Sequence, residues 1–205
     1  MSRIKRLLED LERVTKEFRL GLGLVHESKS LVAFIENVFP IIKDEAILCG
    51  GLLVSEYGNA RATQDLDVFV LSSSIGNVTS KLKENGFQDP EVYDYTKQPK
   101  TFIYKFKKDG IDLDCIYFGD EDFNLYINKN KRKSSMFDFT CYVLDINSFI
   151  ITKLISGRYK DLGDIENIVE TSNHKINLEE IKSWCSKLKI MNKYSILEDI
   201  IQNKE

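Results

Sequence analysis

The segment Ala46-Ile-Leu-Cys-Gly-Gly-Leu-Leu-Val-Ser-Glu-Tyr-Gly-Asn-Ala-Arg-Ala-Thr-Gln-Asp-Leu-Asp-Val-Phe-Val70 constrains the fold of this chain more than any other. It reads as a short apolar strand over about 46–49, a double-glycine turn, a helix over about 51–58, and a second apolar strand over about 65–71. Asp65 and Asp67 are two apart on that second strand, so their side chains share one face. Two carboxylates pointing the same way repel unless a positive group stands between them. A divalent ion such as Mg²⁺ suits the pair, because it prefers hard oxygen ligands and is often held by one or two carboxylates plus substrate phosphates. Gly50 and Gly51 have no side chains to block a close approach, so backbone N–H groups at the helix start can meet a phosphate.

The rest of the chain surrounds this unit with further strands and helices. Apolar residues at helical spacing predict a helix over 3–18, broken by Gly21 and Gly23, and a second over 28–42, with Pro40 near its end. Ser72-Ser-Ser74 offers an N-cap for a helix running to about Asn85-Gly86. Strands are expected over 101–107 and 111–117, joined by a hairpin turn at Lys108-Asp-Gly110. A short helix over 121–128, a polar loop over 128–135 and a strand over 137–143 complete the mixed part. From Asp145, a plausible N-cap, the chain turns helical over 146–157, 160–171, 177–189 and 192–203. Asn177 and Glu180 have the spacing of a capping box. The expected class is α+β: N-terminal helices over 1–44 packed on a core over 45–144, then a helical part over 145–205, as one unit.

The downstream hairpin supplies more acid. In Ile111-Asp-Leu-Asp-Cys-Ile-Tyr117, Asp112 and Asp114 share a strand face, and either could join Asp65 and Asp67 as a third carboxylate. Arg61 lies four residues before Asp65, where its guanidinium could reach a phosphate or pair with a site carboxylate. Thr63 is expected to order that loop through backbone hydrogen bonds.

Gly-Gly followed by Arg-x-Thr-x-Asp-x-Asp at this spacing resembles the DNA polymerase β-like nucleotidyltransferase superfamily, and in detail the small prokaryotic branch of abortive-infection (AbiE-like) toxin nucleotidyltransferases. The resemblance covers roughly residues 45–170. It implies a polymerase β-like core, a mixed sheet with flanking helices, and two-metal transfer of a nucleoside monophosphate from a nucleoside triphosphate to a hydroxyl. Mg²⁺ or Mn²⁺ would then be held by Asp65, Asp67 and Asp114, the last preferred because the family's aspartate precedes an apolar run, here Cys115-Ile-Tyr117. The family often has Ser after the glycines; Leu52 stands there in this chain and removes one phosphate contact. Ile151-Thr-Lys-Leu-Ile-Ser-Gly-Arg-Tyr-Lys-Asp-Leu-Gly-Asp164 resembles the family's second block, which would put Lys153, Arg158 and Lys160 on the triphosphate beside Gly50, Gly51 and Arg61. Asp161 and Asp164 are open between a catalytic role and a structural one. The implied context is a toxin–antitoxin or phage-defence system, with RNA, in particular tRNA, as acceptor and a cognate antitoxin protein as partner. The alternatives are protein AMPylation, modification of a small molecule such as an aminoglycoside, and a nucleotide-binding module without turnover.

Composition narrows the remaining classes. A net charge of −3 argues against coating nucleic acid by bulk charge, although Lys129-Asn-Lys-Arg-Lys133 could dock RNA phosphates locally. Cys49, Cys115, Cys141 and Cys185 are scattered, and His26 and His174 lack ligand spacing, so the cysteines read as small core residues in a reducing compartment. No run approaches a membrane span and the N-terminus has no uninterrupted apolar stretch, so a cytoplasmic protein is expected.

Overall fold

The computed structural model of the chain describes residues 5–7, 9–10, 13, 31–96, 98–137 and 139–202. Most of the helix expected over 3–18, with Gly21 and Gly23, lies outside the described residues.

Among the described residues seven strands make one mixed sheet: β1 (Ala46–Leu48), β2 (Asp65–Val70), β3 (Glu91–Tyr95), β4 (Thr101–Lys108), β5 (Ile111–Phe118), β6 (Arg132–Ser134) and β7 (Cys141–Val143). Their order is β3-β4-β5-β2-β1-β7-β6. β2 runs parallel to β5 and β1 parallel to β7, while the other neighbours are antiparallel. The helices are α1 (Leu31–Ile42), α2 (Gly50–Tyr57), α3 (Ile75–Glu84), α4 (Glu121–Asn130), α5 (Ile146–Ser156), α6 (Tyr159–Thr171), α7 (Leu178–Lys187) and α8 (Met191–Gln202). The expected mixed sheet with flanking helices and helical C-terminal part is therefore present.

Strand alternation sorts the central strands into two unlike faces. Leu66, Val68 and Val70 of β2 share one face with Leu113 and Cys115 of β5, and all five are fully buried. Phe106 extends that apolar face on β4 and meets Phe87, which meets Phe34 of α1. The opposite face carries Asp65, Asp67 and Phe69 on β2, in register with Asp112, Asp114 and Ile116 on β5. Here the face is apolar only at one end: Phe69 stacks on Phe118, which packs on Phe123 of α4 and through it on Trp184 of α7. The carboxylates occupy the other end. Burying Phe69 and Phe118 anchors the register, because a one-residue slip would drive every aspartate into the core.

Local chemistry fixes the connections. Asp109 and Gly110 both take left-handed backbone (φ 57° and 78°), the geometry of a two-residue hairpin turn between β4 and β5. Asp145 caps α5 by accepting N–H bonds from Asn147 and Ser148, and Gly157 ends it with φ 63°. Asn177 caps α7 by accepting the Glu180 N–H at 3.2 Å, but Glu180 does not return the bond; its carboxylate accepts from Asn147 Nδ2 at 2.7 Å, tying α7 to α5.

Three local expectations are revised. Ser72–Ser74 form a single 3-10 turn, and α3 begins after them with no side-chain cap. The segment read as a polar loop divides between the end of α4 and strand β6, because Arg132 reaches Glu56 Oε1 at 2.8 Å and lies over the Tyr57 ring. β3 was not expected: all five of its residues are exposed, and it exists by pairing with β4 at the sheet edge. All four cysteines are free and buried. Among the described residues no helix is long and apolar enough to cross a membrane.

Candidate active site

Asp67 stands where β2 meets the glycine turn. Its carbonyl accepts the Cys49 N–H at 3.0 Å, and its Oδ2 lies 3.4 Å from the Gly51 N. Gly50 has φ +64°, and a Cβ there would sit 1.8 Å from Asp67 Oδ2. A Cβ on Gly51 would come within 2.7 Å of Thr63 Oγ1. The double glycine thus lets the turn lie directly on the acidic strand, and in this structure its N–H faces the Asp67 carboxylate. Thr63, expected to work through the backbone, uses its hydroxyl instead and donates to Asp65 Oδ1 at 2.6 Å.

The four aspartates form a block. Asp65 pairs in register with Asp112 and Asp67 with Asp114, on strands about 4.8 Å apart. Burial, then the charges of Asp65 and Asp114, push the Asp67 carboxyl up to about 6. Burial also raises Asp114, which is only 9 % exposed. Both Asp112 and Asp114 share a face with Asp65 and Asp67; their difference is depth, Asp114 being the buried one and the partner of Asp67.

Lys105, which the carboxylate pattern does not announce, completes the block. It stands opposite Asp114 on β4, and its Nζ lies 3.1 Å from Asp112 Oδ2 and 3.1 Å from Asp114 Oδ1. The contact with Asp112 is an aligned hydrogen bond; the contact with the buried Asp114 Oδ1 is an ion pair off the hydrogen-bonding direction. Partial burial works against the Lys105 ammonium, but its two aspartate partners outweigh this and hold it charged.

A second cluster forms where α5 turns into α6 at Gly157. Lys153 is 4 % exposed and donates to Asp161 Oδ1 at 2.9 Å and Asp164 Oδ2 at 2.7 Å. Arg61 grips both Asp164 oxygens, at 2.6 and 2.9 Å. Arg158 donates to Asp161 Oδ2 at 2.6 Å, beside the Ser156 hydroxyl at 2.7 Å. Asp161 and Asp164 are buried, at 0 % and 3 % exposure, which alone would raise both carboxyls. Arg158 and Lys153 overcome this at Asp161, and Arg61 and Lys153 at Asp164, so both are held below the usual carboxylate range. Three cations on two carboxylates leave one positive charge. That charge faces the acidic block: Lys153 lowers Asp67, and Asp67 and Asp65 favour the Arg158 cation.

The structure therefore gathers Gly50, Gly51, Asp65, Asp67 and Asp114 at one end of the sheet, with Arg61, Lys153 and Arg158 alongside as the partners of Asp161 and Asp164. Lys160 is exposed on the first turn of α6, and among the described residues no hydrogen bond or ion pair ties it to the cluster. Asp161 and Asp164 hold these cations in salt bridges, the structural one of the two roles the sequence left open for them. The oxygens of Asp65 and Asp67 are the donors a hard divalent ion prefers, and Asp67 is raised first by burial and then by the neighbouring charges of Asp65 and Asp114. The residues fit such an ion in kind, although among the described residues no three acidic, His or Cys side chains close around one point.

No protein-family model matches the chain, and no curated protein matches its sequence. Among solved structures it is similar to a candidate nucleotidyltransferase from Thermotoga maritima, with a TM-score of 0.51 and 16% identity, covering 76% of this chain and 92% of that one. Weaker likenesses are to a candidate nucleotidyltransferase from H. pylori (TM-score 0.47, 17% identity, 84% and 83% covered). Another is to ANT(2″)-Ia in complex with adenylyl-2″-tobramycin (TM-score 0.47, 10% identity, 86% and 100% covered). At this identity the Thermotoga likeness speaks to architecture alone: the chain shares the fold of that structure.

Proposed function

We propose that this chain is a metal-dependent nucleotidyltransferase, moving a nucleoside monophosphate from a nucleoside triphosphate to a hydroxyl with release of pyrophosphate. The observation that carries the reading is the juxtaposition of the in-register acidic block with the cation cluster around Asp161 and Asp164. Transfer of this kind is catalysed by positioning and charge neutralisation more than by covalent chemistry. A triphosphate brings negative charge to a place where Arg61, Lys153 and Arg158 leave a surplus of positive charge. Arg158 is the most exposed of the three and the one able to turn outward to a phosphate. Gly50 and Gly51 leave the turn bare, so the Gly51 N–H becomes available to a phosphate oxygen when Asp67 turns to a metal.

Asp65 and Asp67 would hold Mg²⁺ or Mn²⁺, with Asp114 as the third acid. When bound, such an ion supplies Lewis-acid stabilisation of the charge on the transferring phosphate. The acceptor oxygen forms a bond to the α-phosphorus, the bond to the bridging oxygen breaks, and pyrophosphate leaves with the electron pair. The hydroxyl proton passes to a carboxylate of the block. Asp114 is the general base we assign to this, because its raised carboxyl accepts a proton more readily than an ordinary aspartate.

The acceptor we carry forward is RNA, in particular tRNA, in a toxin–antitoxin or phage-defence setting with a cognate antitoxin. That choice rests on the resemblance of the sequence motifs. The test is a transfer assay with each α-³²P-labelled nucleoside triphosphate, total RNA and lysate protein. Label in a tRNA-sized band, lost in Asp67→Ala, is the expected result. Label in protein would redirect the acceptor, and full activity of Asp67→Ala would overturn the chemistry.

A further inference from the structure

β4 places a cation inside the acidic block, and its position bears on how many metal ions the block can take. The hairpin register sets Lys107 opposite Asp112 and Lys105 opposite Asp114. Lys107 turns away to Glu91 at 2.9 Å. Lys105 turns inward to both Asp112 and Asp114. The four aspartates are thereby divided. Asp112 and Asp114 share an ammonium, while Asp65 accepts from Thr63 and Asp67 lies against Gly51.

An ion joined to Asp65, Asp67 and Asp114 together would have to use Asp114 Oδ2, because Lys105 Nζ stands 3.1 Å from Oδ1, and would sit close to that ammonium. Asp114 is 9 % exposed, and Lys105 is held on its strand by pairing on both sides, to Glu91 of β3 and to Asp114 of β5. Its ammonium also repels any second dication brought to the same oxygens.

We propose that Lys105 stands in for one of two divalent ions, so that the site takes a single ion on Asp65 and Asp67 while Lys105 supplies fixed positive charge at Asp114. This rests on the transferase reading and departs from the two-ion arrangement that the sequence motifs imply. Lys105 is then a positioning residue: it fixes the Asp114 carboxylate and neutralises part of the acidic block without being lost to a chelator.

The experiment counts ions by electron paramagnetic resonance of the full chain titrated with Mn²⁺ and a non-hydrolysable nucleoside triphosphate analogue. The wild type is expected to saturate at one Mn²⁺ per chain with the six-line signature of an isolated ion. Lys105→Met is expected to take two and to show the broadening of a coupled pair. Two coupled ions in the wild type would overturn the inference and leave the transferase reading standing. One ion in both proteins would overturn the role of Lys105. No bound ion in the wild type would overturn the metal-dependent reading and this inference with it. The wild-type spectrum decides the ion count whether or not the variant folds.

Discussion

A side chain at Gly50 would meet the carboxylate of Asp67: the added Cβ falls 1.8 Å from Oδ2, on a backbone with φ +64°. Gly50→Ala is therefore expected to cost about 1–3 kcal/mol, from left-handed strain and the displaced carboxylate together. Urea unfolding measures the cost, and Mn²⁺ titration should show weaker binding in the same variant. Unchanged stability and affinity would mean that Asp67 does not lie in the turn. The second prediction at this scale concerns Asp67 itself, whose carboxyl is raised from 3.8 to about 6. A raised carboxyl favours folding while protonated, so its contribution is fully present below the unfolded value and is lost as the pH rises through about 6. Without metal, Asp67→Asn should be more stable than the wild type at pH 8, by roughly 1–3 kcal/mol on the scale of 1.36 kcal/mol per unit. The advantage should vanish near pH 4, and chemical denaturation at both pH values checks it. Asp65, Asp67, Asp112 and Asp114 were legible in the sequence because strand alternation needs only a parity. Lys105 was legible in principle, since a two-residue turn at Asp109-Gly110 pairs Lys108 with Ile111 and hence Lys105 with Asp114. Arg61 with Asp164 was not legible, because those residues are 103 positions apart and no local rule brings α6 back to the loop before β2.

The turn from α5 into α6 shows how one element boundary builds half a site. Gly157 ends α5 in left-handed backbone, and Arg158 starts α6, so Lys153 on the last turn of one helix faces Asp161 and Asp164 on the next. Asp161→Ala leaves a buried lysine with one partner and Arg158 with none of its aspartate bonds. Such removal of one member of a buried ionic group costs about 3–5 kcal/mol, and guanidinium unfolding should register it. A loss below about 1 kcal/mol would place Lys153 in solvent instead. The acid limb of the stability curve belongs to the same pair. Asp161 and Asp164 are held below 3.8, so their contribution is present above that value and is lost as the pH falls beneath it. Where elements were misread, the cause was tertiary. Glu91-Val-Tyr-Asp-Tyr95 has no strict alternation and buries nothing, and only the edge of β4 makes it a strand. Arg132-Lys-Ser134 reads as a charged loop until Glu56 and Tyr57 of α2 give Arg132 its partners. Helices α5 and α7 were legible because their caps, Asp145 and Asn177, act within three residues of themselves.

Across the whole molecule a net charge of −3 conceals a local separation: an acidic block on the sheet end and, beside it, the one surplus positive charge where Arg61, Lys153 and Arg158 meet Asp161 and Asp164. That separation makes folding and ion binding one linked equilibrium. A ligand bound only by the native state stabilises it by RT ln(1 + [L]/Kd), about 2.7 kcal/mol at a hundredfold excess over Kd. For a chain of this size each kcal/mol raises Tm by about 2–4 °C, so Mn²⁺ at that excess should raise Tm by about 5–10 °C at pH 8. The ion must compete with the proton on Asp67, whose carboxyl titrates at about 6. The Mn²⁺-dependent shift should therefore shrink as the pH falls through that value, and at pH 5 a fixed Mn²⁺ concentration should give a clearly smaller one. Asp67→Asn removes both the proton site and the ligand charge, so its Tm should respond little to Mn²⁺ at either pH, although its metal-free Tm at pH 8 exceeds that of the wild type. Thermal scans of the two proteins at two pH values, with and without Mn²⁺, test this directly. A wild-type shift independent of pH, or one kept in full by Asp67→Asn, would show that the ion binds away from this carboxylate.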